Sequence, residues 1–264
     1  MESLVNKASR FMQMKKEETI QYKLQNSQYV FPYHYLSEYD GHNFHLAKVR
    51  NIGYEYMAYL NFVINKLEEP GDVVDFGTGD GKLVFEIKKR YPAKLVRGID
   101  ISEEAIAFAR AFLSREECTS GDIRNAEVFN GYKFSQATCI EVLEHIPPTE
   151  INEFVSGMAS HIKPGGTLLI TVPSDNIPTS KKHFQHFNHS KLKTVLEEHF
   201  EIKEIIYLNK INFKVKLLKD LLVNRYFILN YKPLLNYLFK YYLANHFIGE
   251  KSNTRRIFCQ CKRK

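Results

Sequence analysis

At 264 residues, 44% apolar and 25% charged, the chain can hold one sizeable core with additions and has the composition of an ordinary soluble globular protein. It contains no uninterrupted apolar run of about 18 residues, and no apolar stretch follows Met1-Glu2-Ser3, so neither a transmembrane helix nor a signal peptide is expected. The formal charge of +7 is uneven: residues 211–264 hold 12 lysines and arginines against 2 acids, so any attraction to an anionic partner belongs to the C-terminal segment.

Residues 1–70 read as an N-terminal helical extension. Its aromatic run, Tyr29, Phe31, Pro32, Tyr33, His34 and Tyr35, suits rings that cover a sheet edge, or a lid with one or two rings in a pocket. From His45 to Leu67, Leu46, Val49, Ile52, Tyr56, Tyr59, Leu60 and Val63 form an apolar stripe at helical spacing, with Arg50 on the same helix. Glu68-Glu69-Pro70-Gly71 is a turn.

Next comes Val73-Val74-Asp75-Phe76-Gly77-Thr78-Gly79-Asp80-Gly81-Lys82-Leu83, which reads as a buried strand, a glycine turn and the start of a helix. Such a helix N-terminus offers amide donors and a positive dipole end to an anion. The glycines fall as Gly-x-Gly-x-Gly rather than as a dinucleotide fingerprint, and the Lys-Ser/Thr ending of a P-loop is missing. Leu95 to Asp100 reads as a second strand ending in an acid about 20 residues after the glycines, where nucleotide sites place a ribose-binding carboxylate. Asp100 also suits a helix N-cap, although Ser102 with Glu103 and Glu104 already starts that helix.

Strands over 72–76, 94–99, 116–119, 134–140 and 167–172 alternate with helices over 81–90, 103–113 and 149–161, which predicts a parallel sheet flanked by helices. Asp75, Asp100, Asp122 and Glu141 all fall at or near the carboxyl ends of those strands, where such sheets bind ligands. After Pro173 comes a loop with His183, His186 and His189, then a helix through Leu192, Val195 and Leu196 capped by Asn188 or Ser190. A strand over 201–208, an insertion over 211–252 and a last strand over 255–261 complete the chain. Pro233 divides the insertion into two helices rich in leucine, aromatics and lysine. Four roles suit them: a contact with an anionic membrane surface, a substrate cap, a dimer face, or a plain cover of the domain's own core. Cys118, Cys139, Cys259 and Cys261 show no zinc-ligand spacing and suit a reduced cytoplasm; Cys259 and Cys261, alternating along the last strand, are expected on opposite faces.

Asp75-x-Gly77-x-Gly79-x-Gly81 resembles motif I of the class I S-adenosylmethionine (SAM)-dependent methyltransferases. Four further segments keep that family's order: Asp100 after the second strand, Ser120-Gly121-Asp122-Ile123, Ala137 to Pro147, and Lys163-Pro164-Gly165-Gly166 leading into Leu168 to Pro173. The resemblance covers roughly residues 70 to 200. It implies a Rossmann-like, doubly wound, mostly parallel seven-stranded α/β sheet with helices on both faces, over 71–264. It implies SAM as cofactor, held by Asp75, Phe76, Gly77, Thr78, Gly79, Gly81, Asp100, Ile101, Asp122, Ile123, Ile140 and Glu141; Arg50 reads first as a solvated arginine, with the methionine carboxylate as its alternative partner. Asp100 would take the ribose hydroxyls and Asp122 the adenine amine.

His145 and His186, with His183, are the candidate bases for removing a proton from an oxygen or nitrogen acceptor. The acceptor classes implied are a small molecule, a lipid-linked intermediate or a glycan. RNA 3′-terminal 2′-O-methyltransferases use a similar Glu-x-x-Glu-His with a distant histidine to hold a divalent metal, which here makes Glu141, Glu144, His145 and His186 an alternative ligand set. Metal-free relatives, among them the quinone O-methyltransferases, carry the same Glu-Val-Leu-Glu-His, so no metal is the expectation. An RNA acceptor is the weaker alternative, because the C-terminal basic residues are interleaved with large apolar ones. A third reading is a SAM-binding partner protein without catalysis.

Overall fold

The computed structural model describes residues 20, 23, 38–39, 44–45, 52–68, 71–92, 94–222, 224, 226, 229 and 231–264. The aromatic run at 29–35, Arg50 and the Glu69-Pro70 turn lie outside the described residues.

A two-residue antiparallel pair, β1 (Glu38–Tyr39) and β2 (Phe44–His45), precedes helix α1 (Ile52–Lys66). The main sheet follows. β3 (Val73–Phe76) is buried along its whole length, Asp75 included, as befits a strand covered on both faces, with Val73, Val74 and Phe76 supplying its apolar character. It leads through the glycine turn into α2 (Lys82–Arg90), which buries Leu83, Val84 and Ile87 and ends on Lys88, Lys89 and Arg90 at the negative pole of its dipole. Each such buried aliphatic side chain contributes about 1.5–3 kcal/mol. β4 (Val96–Asp100) then runs into α3 (Glu103–Ala109), capped by the Ser102 hydroxyl, which accepts from Ala105 N at 3.2 Å. The helix stops short of the expected residue 113, because Ala111 N and Phe112 N bond three residues back, to Phe108 O and Ala109 O.

β5 (Cys118–Ser120), β6 (Phe134–Ile140), α4 (Ile151–Ser160), β7 (Ile162–Pro173), α5 (His189–Leu196) and β8 (Phe200–Lys210) continue the alternation. The insertion forms α6 (Phe213–Leu222) and α7 (Lys232–His246), with Pro233 in the first turn of α7. β9 (Ile248–Gly249) and β10 (Thr254–Arg263) close the chain.

The strand order is β5-β4-β3-β6-β7-β10-β8-β9. β5, β4, β3, β6 and β7 are mutually parallel, and β10 is antiparallel to both β7 and β8. Seven strands match the expected doubly wound sheet; the eighth, β9, is a two-residue edge strand at the end of the insertion, paired with Tyr207 and Leu208 of β8. α1, α2, α3, α6 and α7 pack on one face, α4 and α5 on the other.

The cysteines correct the expectation for the last strand. Side chains two residues apart share a face of a strand, and Cys259 and Cys261 lie in one core cluster with sulfurs 3.4 Å apart. The order of strands reverses between β3 and β6, and their carboxyl ends open a crevice there.

Candidate functional site

The crevice is a cleft of about 300 Å³ at the carboxyl ends of β3, β4 and β6. Its floor is the glycine turn. Gly77 has φ 72° and Gly81 φ 76°, the left-handed region open to glycine at no steric cost. At Gly77 a Cβ would also lie 2.4 Å from Val142 Cγ2, so the turn packs flat against the residues after β6.

Asp100 ties the turn to β4. Its Oδ2 accepts from Gly79 N at 2.8 Å and its Oδ1 from Ser102 N at 2.9 Å. Burial raises its pKa, and the amides of Ser102, Gly79 and Ile101 counter part of that rise. Asp75 is buried on β3 and accepts from Thr138 Oγ1 at 2.7 Å. Its burial pushes the carboxyl up to about 7, against the hydroxyls of Thr138 and Thr78, so the charged form is disfavoured there. At the start of α2, Asp80 Oδ1 accepts from Lys82 N at 3.2 Å, satisfying one terminal amide from within the chain.

Of the residues the resemblance implies for the cofactor, all but two line the cleft: Asp75, Gly77, Thr78, Gly79, Asp100, Ile101, Asp122, Ile123, Ile140 and Glu141. Phe76 and Gly81 do not. Phe76 is fully buried in the core beneath, and Gly81 sits against α3, where a Cβ would meet Leu113 and Ala109. Ile101, 57% exposed, and Ile123 present apolar surface to the cleft. Asp122 is held by Arg124, whose Nε bonds Oδ1 at 3.0 Å and whose terminal nitrogen bonds Oδ2 at 2.6 Å. That pairing keeps its pKa low, and Arg124 reaches on to Glu150 at 2.8 Å. Behind the loop, His161 Nε2 meets Ile123 O at 2.9 Å and pins the turn to the end of α4.

Glu141 stands at φ 58°, which is uncommon for a residue with a side chain. Its backbone N donates to Thr171 O at 3.0 Å, and its carboxylate accepts from Thr171 Oγ1 and from Arg256 Nε, each at 3.0 Å. The Arg256 guanidinium lies 4.5 Å from the centre of the Tyr59 ring, itself a wall of the cleft with Tyr56. These contacts join α1, β6, β7 and β10 at one point. Sequence reasoning missed Arg256, Arg124 and His161. A signal existed for Arg256 alone, a charge in phase with the buried Phe258 two residues on.

His145 lines the cleft beside Ile146. Its Nδ1 lies 3.1 Å from Lys182 O. A carbonyl only accepts, so this nitrogen carries the proton and Nε2 keeps a lone pair. His186 does not line the cleft. Its Nδ1 meets Ile177 O at 3.0 Å and its Nε2 meets His183 Nδ1 at 2.8 Å. By the same logic His186 accepts from His183, whose Nε2 also keeps a lone pair. Burial lowers His145 to about 4 and, with the neighbouring His145 and His186, lowers His183 to about 3, so both rings are neutral near pH 7.

Beneath them Glu144 is buried, its Oε1 4.0 Å from His145 Nε2 and its Oε2 without a hydrogen-bond partner among the described residues. Burial and the nearby Glu141 raise its pKa well above the ordinary range. Glu144, His145 and His183 each offer a ligand atom within 4.8 Å of the others. This cluster differs from the sequence-derived set: Glu141 is committed to Arg256 and Thr171, and His186 stands behind His183 as its hydrogen-bond partner. His189 is apart, its Nδ1 3.4 Å from the Tyr207 hydroxyl.

A family model described as "Methyltransferase domain" matches residues 48–206. The ubiquinone biosynthesis O-methyltransferase of Xanthomonas campestris pv. campestris is 35% identical over 119 residues, covering 42% of this chain and 47% of that one. The protein of the same name from Azoarcus sp. is 33% identical over 110 residues, covering 39% and 45%. The chain spans about half the length of these curated relatives. Among solved structures, a SAM-dependent methyltransferase from Archaeoglobus fulgidus aligns with a TM-score of 0.54 at 17% identity, over 81% of this chain and 94% of that one. The N-methyltransferase NodS from Bradyrhizobium japonicum, in complex with S-adenosyl-L-homocysteine, aligns with a TM-score of 0.51 at 13% identity, over 79% and 86%. At these identities the structural likeness is one of fold.

Proposed function

Because the chain belongs to the class I SAM-dependent methyltransferases, with SAM as methyl donor, we propose that it methylates an oxygen or nitrogen of a small-molecule, lipid-linked or glycan acceptor in the cleft between β3 and β6. The observation that carries this reading is Asp100: a carboxylate on the cleft wall, fixed by two backbone amides. Each oxygen accepts one bond from its own chain and keeps capacity for another, which suits a pair of ribose hydroxyls. Ile101 and Ile123 offer apolar faces to an adenine ring, with Asp122 at the same end of the cleft.

Bound SAM supplies a sulfonium methyl group, whose transfer to an acceptor lone pair leaves S-adenosylhomocysteine. The chain's part is to align the two and to move one proton. His145 Nε2 takes the proton from the acceptor O–H or N–H as the new bond to carbon forms and the carbon–sulfur bond breaks. With a pKa of about 4 His145 is a weak base, so alignment supplies most of the rate and the histidine a factor below the usual ~10²–10⁴-fold of a base matched to the working pH. Isotope-labelled SAM offered with hydroxylated aromatic, lipid-linked and glycan acceptors tests the reading. Label should enter one class, and His145→Ala should cut turnover at least tenfold while leaving S-adenosylhomocysteine affinity unchanged. Equal turnover by that variant would remove His145 from the chemistry.

One observation favours a second reading, in which Glu144, His145 and His183 hold a divalent cation that would orient an acceptor oxygen. Two imidazoles and a buried carboxylate each bring a ligand atom within 4.8 Å of the others, and Glu144 Oε2 has no hydrogen-bond partner among the described residues; a donor set of two imidazoles and a carboxylate suits zinc or manganese. Metal analysis of purified protein, before and after chelation, separates the two. A stoichiometric metal lost from Glu144→Gln would establish the second reading, whereas turnover indifferent to chelation supports the first.

A further inference from the structure

The insertion displays apolar surface that the core does not use. On α6, Phe213, Leu217 and Leu221 recur every four residues and are 76%, 48% and 52% exposed, while Val215, Leu218 and Leu222 are buried. On α7, Leu234, Tyr237 and Tyr241 form a second exposed stripe at i, i+3, i+7, while Tyr242 and His246 are buried. α6 and α7 bury their inner residues in the same core cluster, so both outer stripes look away from the same layer of the fold. Single exposed apolar side chains are commonplace, but aligned stripes on adjacent helices mark a docking surface.

Charge selects the occupant. Lys214, Lys216, Lys232 and Lys240 are exposed around the stripes, and residues 211–246 carry 6 basic residues against 1 acid. A second copy of the chain would set this positive face against itself. A nucleic acid backbone would answer the lysines and leave the leucines and rings in water. An anionic bilayer answers both, with apolar side chains at the acyl boundary and lysines among headgroups. At 15 residues α7 is about 22 Å long, too short to cross a core of about 30 Å, and no helix among the described residues is long and apolar enough to span one.

We propose that α6 and α7 seat the protein on an anionic lipid surface. The seat is connected to the cleft. Lys219 of α6 pairs with Glu55 of α1, and Arg255 approaches the same carboxylate at 4.0 Å. One residue on, Tyr56 begins the wall that α1 lends to the cleft. Resting on the methyl-transfer reading, this arrangement suits an acceptor with a lipid anchor, presented at the bilayer face to a cleft built partly from the docked layer.

Co-sedimentation with vesicles of phosphatidylcholine alone or mixed with phosphatidylglycerol tests the seat, with S-adenosylhomocysteine affinity measured on the same samples. The full chain should partition onto the anionic vesicles about tenfold or more above the neutral ones, and less so as salt rises. Phe213→Gln/Leu217→Gln/Leu221→Gln should lose about tenfold of that binding with unchanged circular dichroism and ligand affinity, since glutamine keeps helix propensity. A Lys214→Gln/Lys216→Gln variant should lose the preference for phosphatidylglycerol. Wild type that binds S-adenosylhomocysteine and ignores both vesicles would overturn the proposal. So would a glutamine variant that sediments like wild type, turns a dimer into a monomer, or loses RNA in place of lipid. Vesicle binding without S-adenosylhomocysteine binding would leave the seat standing and sink the methyl-transfer reading alone.

Discussion

Replacing Arg256 with methionine should destabilise the fold through a single buried junction. The guanidinium lies 3.0 Å from Glu141 Oε2 and 4.5 Å from the Tyr59 ring centre, and both paired side chains are about four-fifths buried, at 21% and 20% exposed. Unit charges about 4 Å apart at an effective dielectric near 20 interact by about 4 kcal/mol. The residual exposure screens part of that, leaving about 2–3 kcal/mol, and loss of the cation–π contact adds about 1 kcal/mol. Methionine returns little, because among the described residues the stranded Glu141 carboxylate keeps only Thr171 as a side-chain donor. A loss of about 3–4 kcal/mol in a chain of this length corresponds to a fall in Tm of about 10 °C. Thermal unfolding followed by circular dichroism measures it. The double variant Arg256→Met/Glu141→Gln should recover about half of the loss, since the lone carboxylate is gone. A single variant within about 2 °C of wild type, or a double variant no better than the single, would refute the idea that this pair holds the site together.

Gly77→Ala should cost about 2–4 kcal/mol, from the positive φ and from the collision with Val142, and should abolish S-adenosylhomocysteine binding; denaturant titration and calorimetry read the two effects. His145 and His183 have folded pKa values of about 4 and about 3, below the ordinary 6.5, so their contribution to stability is present above pH 6.5 and is lost as pH falls towards those values. Unfolding free energy should therefore drop by up to about 1.4 kcal/mol per pH unit for each histidine between pH 6 and 4, and His183→Gln should flatten the slope in urea titrations. Tyr59→Leu shrinks a buried side chain, removes its edge-to-face contact with Tyr56 and takes away the ring under Arg256, so the same unfolding assay should show a loss of about 2–3 kcal/mol.

What could be read from the sequence was local. Asp75 to Leu83 announces its strand, turn and helix because the conformational demands of Gly77, Gly79 and Gly81 lie within a few residues. The alternation of strands with helices leaves few topologies, since crossovers between parallel strands are right-handed and sequential strands tend to be neighbours. The unread parts are pairings across long stretches of chain. Arg256 meets Glu141 across 115 residues, and only the placement of β10 beside β7 brings them together. His183, rather than His186, faces Glu144 and His145, because Phe184 N bonds Glu144 O at 2.8 Å and fixes which turn of the loop faces the cluster. Asp122 was read as a ligand-facing acid, and its capture by Arg124 two residues on depends on a turn that composition does not specify. β9 escaped notice because two residues without apolar alternation carry no periodic signal.

The most direct test of the account is calorimetric titration of the full chain with S-adenosylhomocysteine, for wild type and Asp100→Asn, with and without magnesium. Asparagine keeps the shape of Asp100 and removes the charge. Two charge-assisted bonds to the ribose are worth about 3 kcal/mol together, so the variant should bind about a hundredfold more weakly, while wild type binds equally well in both buffers. A folded wild type that does not bind, or an Asp100→Asn variant that binds within threefold of it, would contradict the assignment of this cleft to the cofactor.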